Sequence, residues 1–254
     1  MTNSAETPKT TLFIGAPTRL GHALNAFVRR QGLALGQGGV AAYPNKIVTH
    51  ALRAAIGDAP EPEELQKLVV SAAGKQLFLS ALFAMGRPGT AVRDDELFPE
   101  AERMLREIST ALEGRIGRVV VAIEPLHQLM LSVEREQVLS RSRGVPWEAL
   151  YEVSWAELLD VVGECFSRAE IAVLTPYSIK TGAAPVLHYL FGNKGFELAS
   201  QDAGAEFLAA AQGAPSCLEI NAQTGLDQVA CDLLLQRFHE DIDVISKRSR
   251  VRVF

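Results

Sequence analysis

Cysteine is scarce in this chain of 254 residues, and the three present, Cys165, Cys217 and Cys231, are odd in number and show no CxxC spacing. Neither a disulfide framework nor a zinc site is indicated. The histidines, His22, His50, His127, His188 and His239, form no HxH or HExxH pair, so no metal site is expected. Positive charge is not in excess either: the net charge is −5, which argues against non-specific nucleic-acid binding but allows an anionic ligand in a local basic pocket. A membrane-length apolar run is missing, because the longest apolar patch, Leu65 to Met85, is broken by Lys67, Gly74, Lys75 and Gln76. Met1 to Lys9 is short and polar, without an apolar stretch of signal-peptide length. These absences predict a cytoplasmic protein, with residues 1–10 as a disordered tail and residues 11–254 as one domain.

What is present is 48% hydrophobic residues, enough for a substantial core. The organising stretch is Thr11 to Asn25. Leu12, Phe13 and Ile14 read as a buried strand, Gly15 and Pro17 as a tight turn, and Leu20, Ala23, Leu24, Phe27 and Val28 as the apolar face of a helix. A strand that passes through a glycine turn into a helix N-terminus can hold a phosphate, since backbone N–H groups and the helix dipole point at the turn. Further strands are predicted at Gln76–Ser80, Arg118–Ile123 and Glu170–Leu174, and an edge strand at Val251–Phe254. Helices are expected over Lys46–Ile56, Pro62–Ala73, Pro99–Glu113, Leu126–Arg141, Ala184–Phe191, Ala203–Gln212 and Gly225–Lys247. Another opens at a capping box, Ser154-Trp-Ala-Glu157, and runs to Ser167. Gly32–Pro44 and Arg87–Leu97 read as loops. The alternation gives an α/β fold of three layers, a mainly parallel sheet with helices on both faces. Ligands in such sheets bind beyond the carboxyl ends of the strands, which places Gly15–His22, Ser80–Met85, Glu124–Ser132 and Thr175–Lys180 around one crevice.

Phe13-Ile-Gly-Ala-Pro-Thr-Arg-Leu-Gly-His-Ala-Leu-Asn25 resembles the first strand, phosphate loop and first helix of bacterial P-loop sulfotransferase-like proteins, whose pattern there is close to I-G-P-P-K-T-G-T-T-S-L-Q. Gly39-Val40, Tyr43-Pro44 and His50-Ala-Leu52 are similar to the segment downstream of that loop in the same proteins. Val119-Val-Val-Ala-Ile-Glu124, with Ser132 eight residues later, is similar to the strand and helix that hold the donor's 3′-phosphate. Trp155-Ala-Glu-Leu-Leu159, Phe238-His-Glu-Asp-Ile242 and Val251-Arg-Val253 extend the resemblance over almost the whole chain. It implies a P-loop NTPase or sulfotransferase-like α/β fold and sulfuryl transfer from 3′-phosphoadenosine-5′-phosphosulfate to a hydroxyl of a small molecule or glycan. Gly15, Ala16, Pro17, Thr18, Arg19, Leu20, Gly21, His22, Glu124 and Ser132 would then bind the donor, and Arg19 and His50 would be catalytic. With the alignment shifted by one residue, Arg19 would take the role of the family's lysine and Gly21 that of the loop glycine, and His50 could be a general base titrating in the right range.

The departures from the family pattern fall on functional positions. Thr18 stands for the lysine, Leu20 for the loop glycine, His22 for a threonine, and Glu124 for the arginine that ends the third strand. Loss of two charge-assisted hydrogen bonds weakens donor binding by roughly 10²–10⁴. The same fold with its donor site lost, acting as a binding or assembly module, is the alternative. A nicotinamide-dependent oxidoreductase is a third, weaker reading: Gly15–Gly21 lacks GxGxxG spacing, and Tyr177 and Lys180 are too close for a YxxxK pair. The acceptor and the oligomeric state are not encoded legibly.

Overall fold

A computed structural model describes residues 10–56, 61–86, 91–93, 95–112, 114–131, 147–212 and 226–254. In chain order, β1 (Thr10–Gly15) leads to α1 (Arg19–Gln37), β2 (Val40–Tyr43), α2 (Asn45–Ala55), α3 (Glu63–Ser71) and β3 (Gln76–Ala81). A small hairpin, β4 (Val92–Arg93) with β5 (Glu96–Leu97), precedes α4 (Ala101–Ala111) and β6 (Arg118–Ala122). Helix α5 is described over residues 126–131. After it come α6 (Trp155–Cys165), β7 (Glu170–Leu174), α7 (Ala184–Ala199), α8 (Asp202–Ala211), α9 (Gln228–Ser246) and β8 (Val251–Val253).

The six long strands form one parallel sheet in the order β2-β3-β1-β6-β7-β8. Alternation along the strands sorts their side chains between two cores. Leu12 and Ile14 of β1, Leu77 and Leu79 of β3, Val119 and Val121 of β6, and Ile171 and Val173 of β7 face α2, α4, α6 and α9. Phe13, Phe78, Val120, Ala122, Ala172 and Leu174 face the opposite way, toward α1, α7 and α8. That second core is aromatic at its centre: Phe78 lies edge-on to Phe191 at 4.9 Å, and Phe27 stacks on Phe191 at 5.9 Å between centroids. The chain is thus an α/β protein with a six-stranded parallel sheet covered by helices on both faces.

The strand order decides where a ligand can enter. The chain leaves β1 for β2 at the edge, returns to place β3 against β1, and only then crosses to β6 on β1's other side. The connections part in opposite directions between β1 and β6, where Gly15 is level with Ala122, and the crevice of such a sheet opens at that point. In a dinucleotide-binding domain the second strand pairs with the first, in the order 3-2-1-4-5-6; here the second strand is one place removed.

Several predicted boundaries move. Gly32–Pro44 is not a loop: α1 continues to Gln37, and β2 begins at Val40 after a turn that needs the positive φ of Gly39 (83°). Within Arg87–Leu97, residues 91–93 and 95–97 carry the β4–β5 hairpin, while 87–90 and 94 lie outside the described residues. The helix expected at Ala184–Phe191 ends its first segment there, because Gly192 (φ 62°, ψ −148°) breaks it, and a second segment continues to Ala199. Ser154 caps α6 by accepting from the Ala156 amide at 3.0 Å, without the Glu157 half of a capping box, and its hydroxyl donates to buried Asp241 at 2.5 Å. The predicted tail, except Thr10, which opens β1, and the rest of the helix expected to reach Arg141 lie outside the described residues.

Candidate functional site

The strand–turn–helix junction forms as its sequence predicts, and every residue from Thr10 to Thr18 is buried. Thr18 is the N-cap of α1. Its hydroxyl accepts from the Gly21 amide at 3.0 Å, and its own amide donates to the Ala16 carbonyl at 2.7 Å. Leu82, just past the end of β3 and 1% exposed, closes the turn from the side. A Cβ on Gly15 or on Gly21 would come within 2.9 Å of the Leu82 Cδ1 methyl. A side chain at either glycine would force Leu82 to shift, and at Gly21 it would also meet the Thr18 hydroxyl at 2.9 Å and the Ala16 carbonyl at 3.2 Å.

Asparagines hold Leu82 in place. Asn25 of α1 accepts through Oδ1 from the Asn45 amide at 2.7 Å and from the Ser80 hydroxyl at 3.2 Å. Asn45 in turn accepts from the Leu82 amide at 2.8 Å. The loops after β2 and β3 are thereby tied to the first helix.

In front of α1 stands Glu124, two residues past the end of β6 and 3% exposed. Its Oε2 accepts from the Arg19 amide, the first of the helix, at a long 3.4 Å. A side-chain carboxyl thus occupies the position at the helix N-terminus that an anionic ligand takes in phosphate-binding junctions. Its Oε1 has no partner among the described residues. Burial pushes the Glu124 carboxyl up to about 8, against the smaller opposing pull of the Arg19 amide and charge. At neutral pH the group is mostly protonated, so it fills the seat as a neutral acid. The Glu124 carbonyl accepts from the Trp155 indole at 2.8 Å, which anchors the segment from the α6 side. Three residues on, His127 is 4% exposed, its Nδ1 has no partner among the described residues, and burial lowers its imidazole to about 4. A carboxyl titrating near neutrality suits a general acid, but this one is enclosed.

The predicted site residues divide accordingly. Gly15, Ala16, Pro17, Thr18, Arg19, Leu20, Gly21 and Glu124 come together at the β1–β6 crevice. His22 is on the exposed side of the first helical turn. His50 is exposed on α2, where its charge is felt by Glu64 of α3. It lies five residues beyond Asn45, about 7.5 Å further along the helix axis. Ser132 lies outside the described residues. Thr175–Lys180 sits two strands from β1, where Thr175 and Ser178 donate to the Phe254 carbonyl at 3.1 and 2.7 Å. Leu82 and His127 fall within the predicted crevice segments Ser80–Met85 and Glu124–Ser132, and Asn25 ends the organising stretch, but sequence reasoning singled out none of the three and missed Asn45 altogether. Only adjacency to Ser80 and Glu124 pointed to them.

A second hollow lies at the carboxyl end of the sheet, beside β3. It opens between α2 and α4 and has a volume of about 300 Å³. Among the described residues there is no group of three potential metal ligands, and no helix is long and apolar enough to cross a membrane. No family model and no curated protein matches this chain.

Proposed function

We propose that this chain is a sulfotransferase-like α/β protein that has given up sulfuryl transfer and serves as a binding or assembly module. The observation that carries the reading is the Glu124 carboxyl on the Arg19 amide, buried where the donor's phosphate would need to sit. A phosphate arriving there would have to displace a buried side chain whose main-chain carbonyl is held by the Trp155 indole, and reach amides already engaged by Thr18 and Ala16. The residue that replaces the family's arginine thus supplies the carboxyl that occupies the seat. Arg19, at the first position of α1 beside the turn, favours a second reading. In it Arg19 takes the missing lysine's role, and sulfate passes from 3′-phosphoadenosine-5′-phosphosulfate to a hydroxyl on a small molecule or glycan.

Calorimetric titration with adenosine 3′,5′-bisphosphate separates the two. The module reading expects no heat and no thermal stabilisation at millimolar ligand. Saturable binding that Arg19→Ala and Ser132→Ala both weaken would instead establish the transferase reading.

A further inference from the structure

The hollow beside β3 differs from the crevice in being open and in carrying a charge that, among the described residues, no acceptor meets. Leu52 and Ile108 are buried in its base, and Phe83 and Met104 are half-buried in its walls. Among the described residues, three charged ones line it: Arg53 from α2, and Glu100 and Arg103 at the start of α4. Arg103 is engaged by Glu107 at 2.9 Å and by Glu100 at 3.7 Å. Arg53 has no acceptor and no ion pair among the described residues. The lining therefore holds one uncompensated guanidinium over an apolar interior, at the sheet end where ligands of α/β proteins bind. Its volume of about 300 Å³ is at the small end of ligand pockets, which run to about 1,000 Å³.

We propose that this cleft binds a small organic carboxylate with an apolar tail. The tail lies against Leu52, Phe83, Met104 and Ile108, and the carboxylate meets Arg53. A guanidinium presents a planar fork of donors that matches a carboxylate in two parallel hydrogen bonds. A monoanion fits better than a phosphate dianion, because among the described lining residues Arg53 is the one cation without an ion pair, and Glu100 on the same rim repels a second negative charge. The site shares no residue with the β1–β6 crevice, so it stands or falls apart from the reading of Glu124.

The test is calorimetric titration of the full chain with octanoate, with octan-1-ol and acetate as tail-only and headgroup-only probes. Octanoate saturates one site, and each partial probe binds at least roughly tenfold more weakly, the factor expected for losing a charged hydrogen bond or the buried tail. Arg53→Gln, at an exposed and unpartnered position, weakens octanoate roughly tenfold or more and leaves octan-1-ol unchanged. Met104→Trp fills the cleft and abolishes binding of both. No saturable octanoate binding, equal binding of octan-1-ol, or full octanoate affinity in either variant overturns the proposal.

Discussion

The crevice between β1 and β6 and the cleft beside β3 share one end of one sheet, yet one is filled and the other is open. In the crevice, polar and apolar side chains from three strands' ends converge: Leu82 abuts Gly15 and Gly21, and Glu124 reaches the Arg19 amide. In the cleft, α2 and α4 stand apart, and Arg53 is exposed with no counter-charge among the described residues. The difference is set by where the connecting segments turn. Asn25 and Asn45 pull the chain after β3 over the first helix, which closes the crevice and leaves the far side of β3 uncovered. Position at the carboxyl end of a parallel sheet therefore makes room for a ligand only where the loops do not fill it themselves.

The largest effect that tests this contrast is loss of the filling side chain. Leu82→Ala should cost about 2–5 kcal/mol in urea unfolding, as expected for a fully buried leucine, whereas Met104→Ala in the half-open wall should cost less than about 1.5 kcal/mol. Equal losses would erase the distinction between filled and open.

The next effect is in pH. Glu124 has a folded value of about 8, raised from 4.5, so the folded chain holds a proton that the unfolded chain releases. The stability this contributes is present below pH 4.5 and is lost as pH rises through 8. His127 acts oppositely: its folded value of about 4, lowered from 6.5, gives stability that is present above pH 6.5 and lost as pH falls through 4. Between pH 4.5 and 6.5 the two slopes offset each other. From pH 6.5 to 8 the Glu124 slope outweighs that of His127, and stability should fall by about 1 kcal/mol, less than the full roughly 1.4 kcal/mol per unit because Glu124 is itself half ionised by pH 8. Glu124→Gln, which keeps an acceptor for the Arg19 amide, should flatten that alkaline limb in a series of melts. An unchanged limb would mean that Glu124 is not the buried acid.

Smaller still, Thr18→Val should remove the cap on α1 and cost about 1 kcal/mol in chemical denaturation. At the bottom of the scale, Arg53→Gln should leave stability within about 0.5 kcal/mol, since the side chain is exposed and makes no hydrogen bond or ion pair among the described residues. A large loss there would show that Arg53 supports the fold instead of waiting for a ligand.

The strands were legible wherever their residues were β-branched or bulky. Val119–Val121 and Ile171–Val173 announced the centre of the sheet, and Val251–Val253 its edge. β2 was hidden because Val40-Ala-Ala-Tyr43 is mostly small residues after two glycines, and its partner is β3, distant in sequence. Among the site residues, the junction itself was readable from Gly15 to Gly21, because turn chemistry and helix periodicity are local. Glu124 could be seen as anomalous at a strand end, but not as a plug. Its contact with Arg19 spans 105 residues.

By itself, then, the sequence determined the alternation of strands and helices, the faces the strands bury, and the capped turn that starts α1. Each of these depends on spacings of a few residues, which fix backbone geometry locally. The tertiary structure alone decided the strand order, the closing of the crevice by Leu82 and Glu124, and the opening of the cleft under Arg53. Those depend on which distant segments meet at the sheet's end, and on the cost of burying a carboxyl with one oxygen unpaired, neither of which is written in any short stretch of chain.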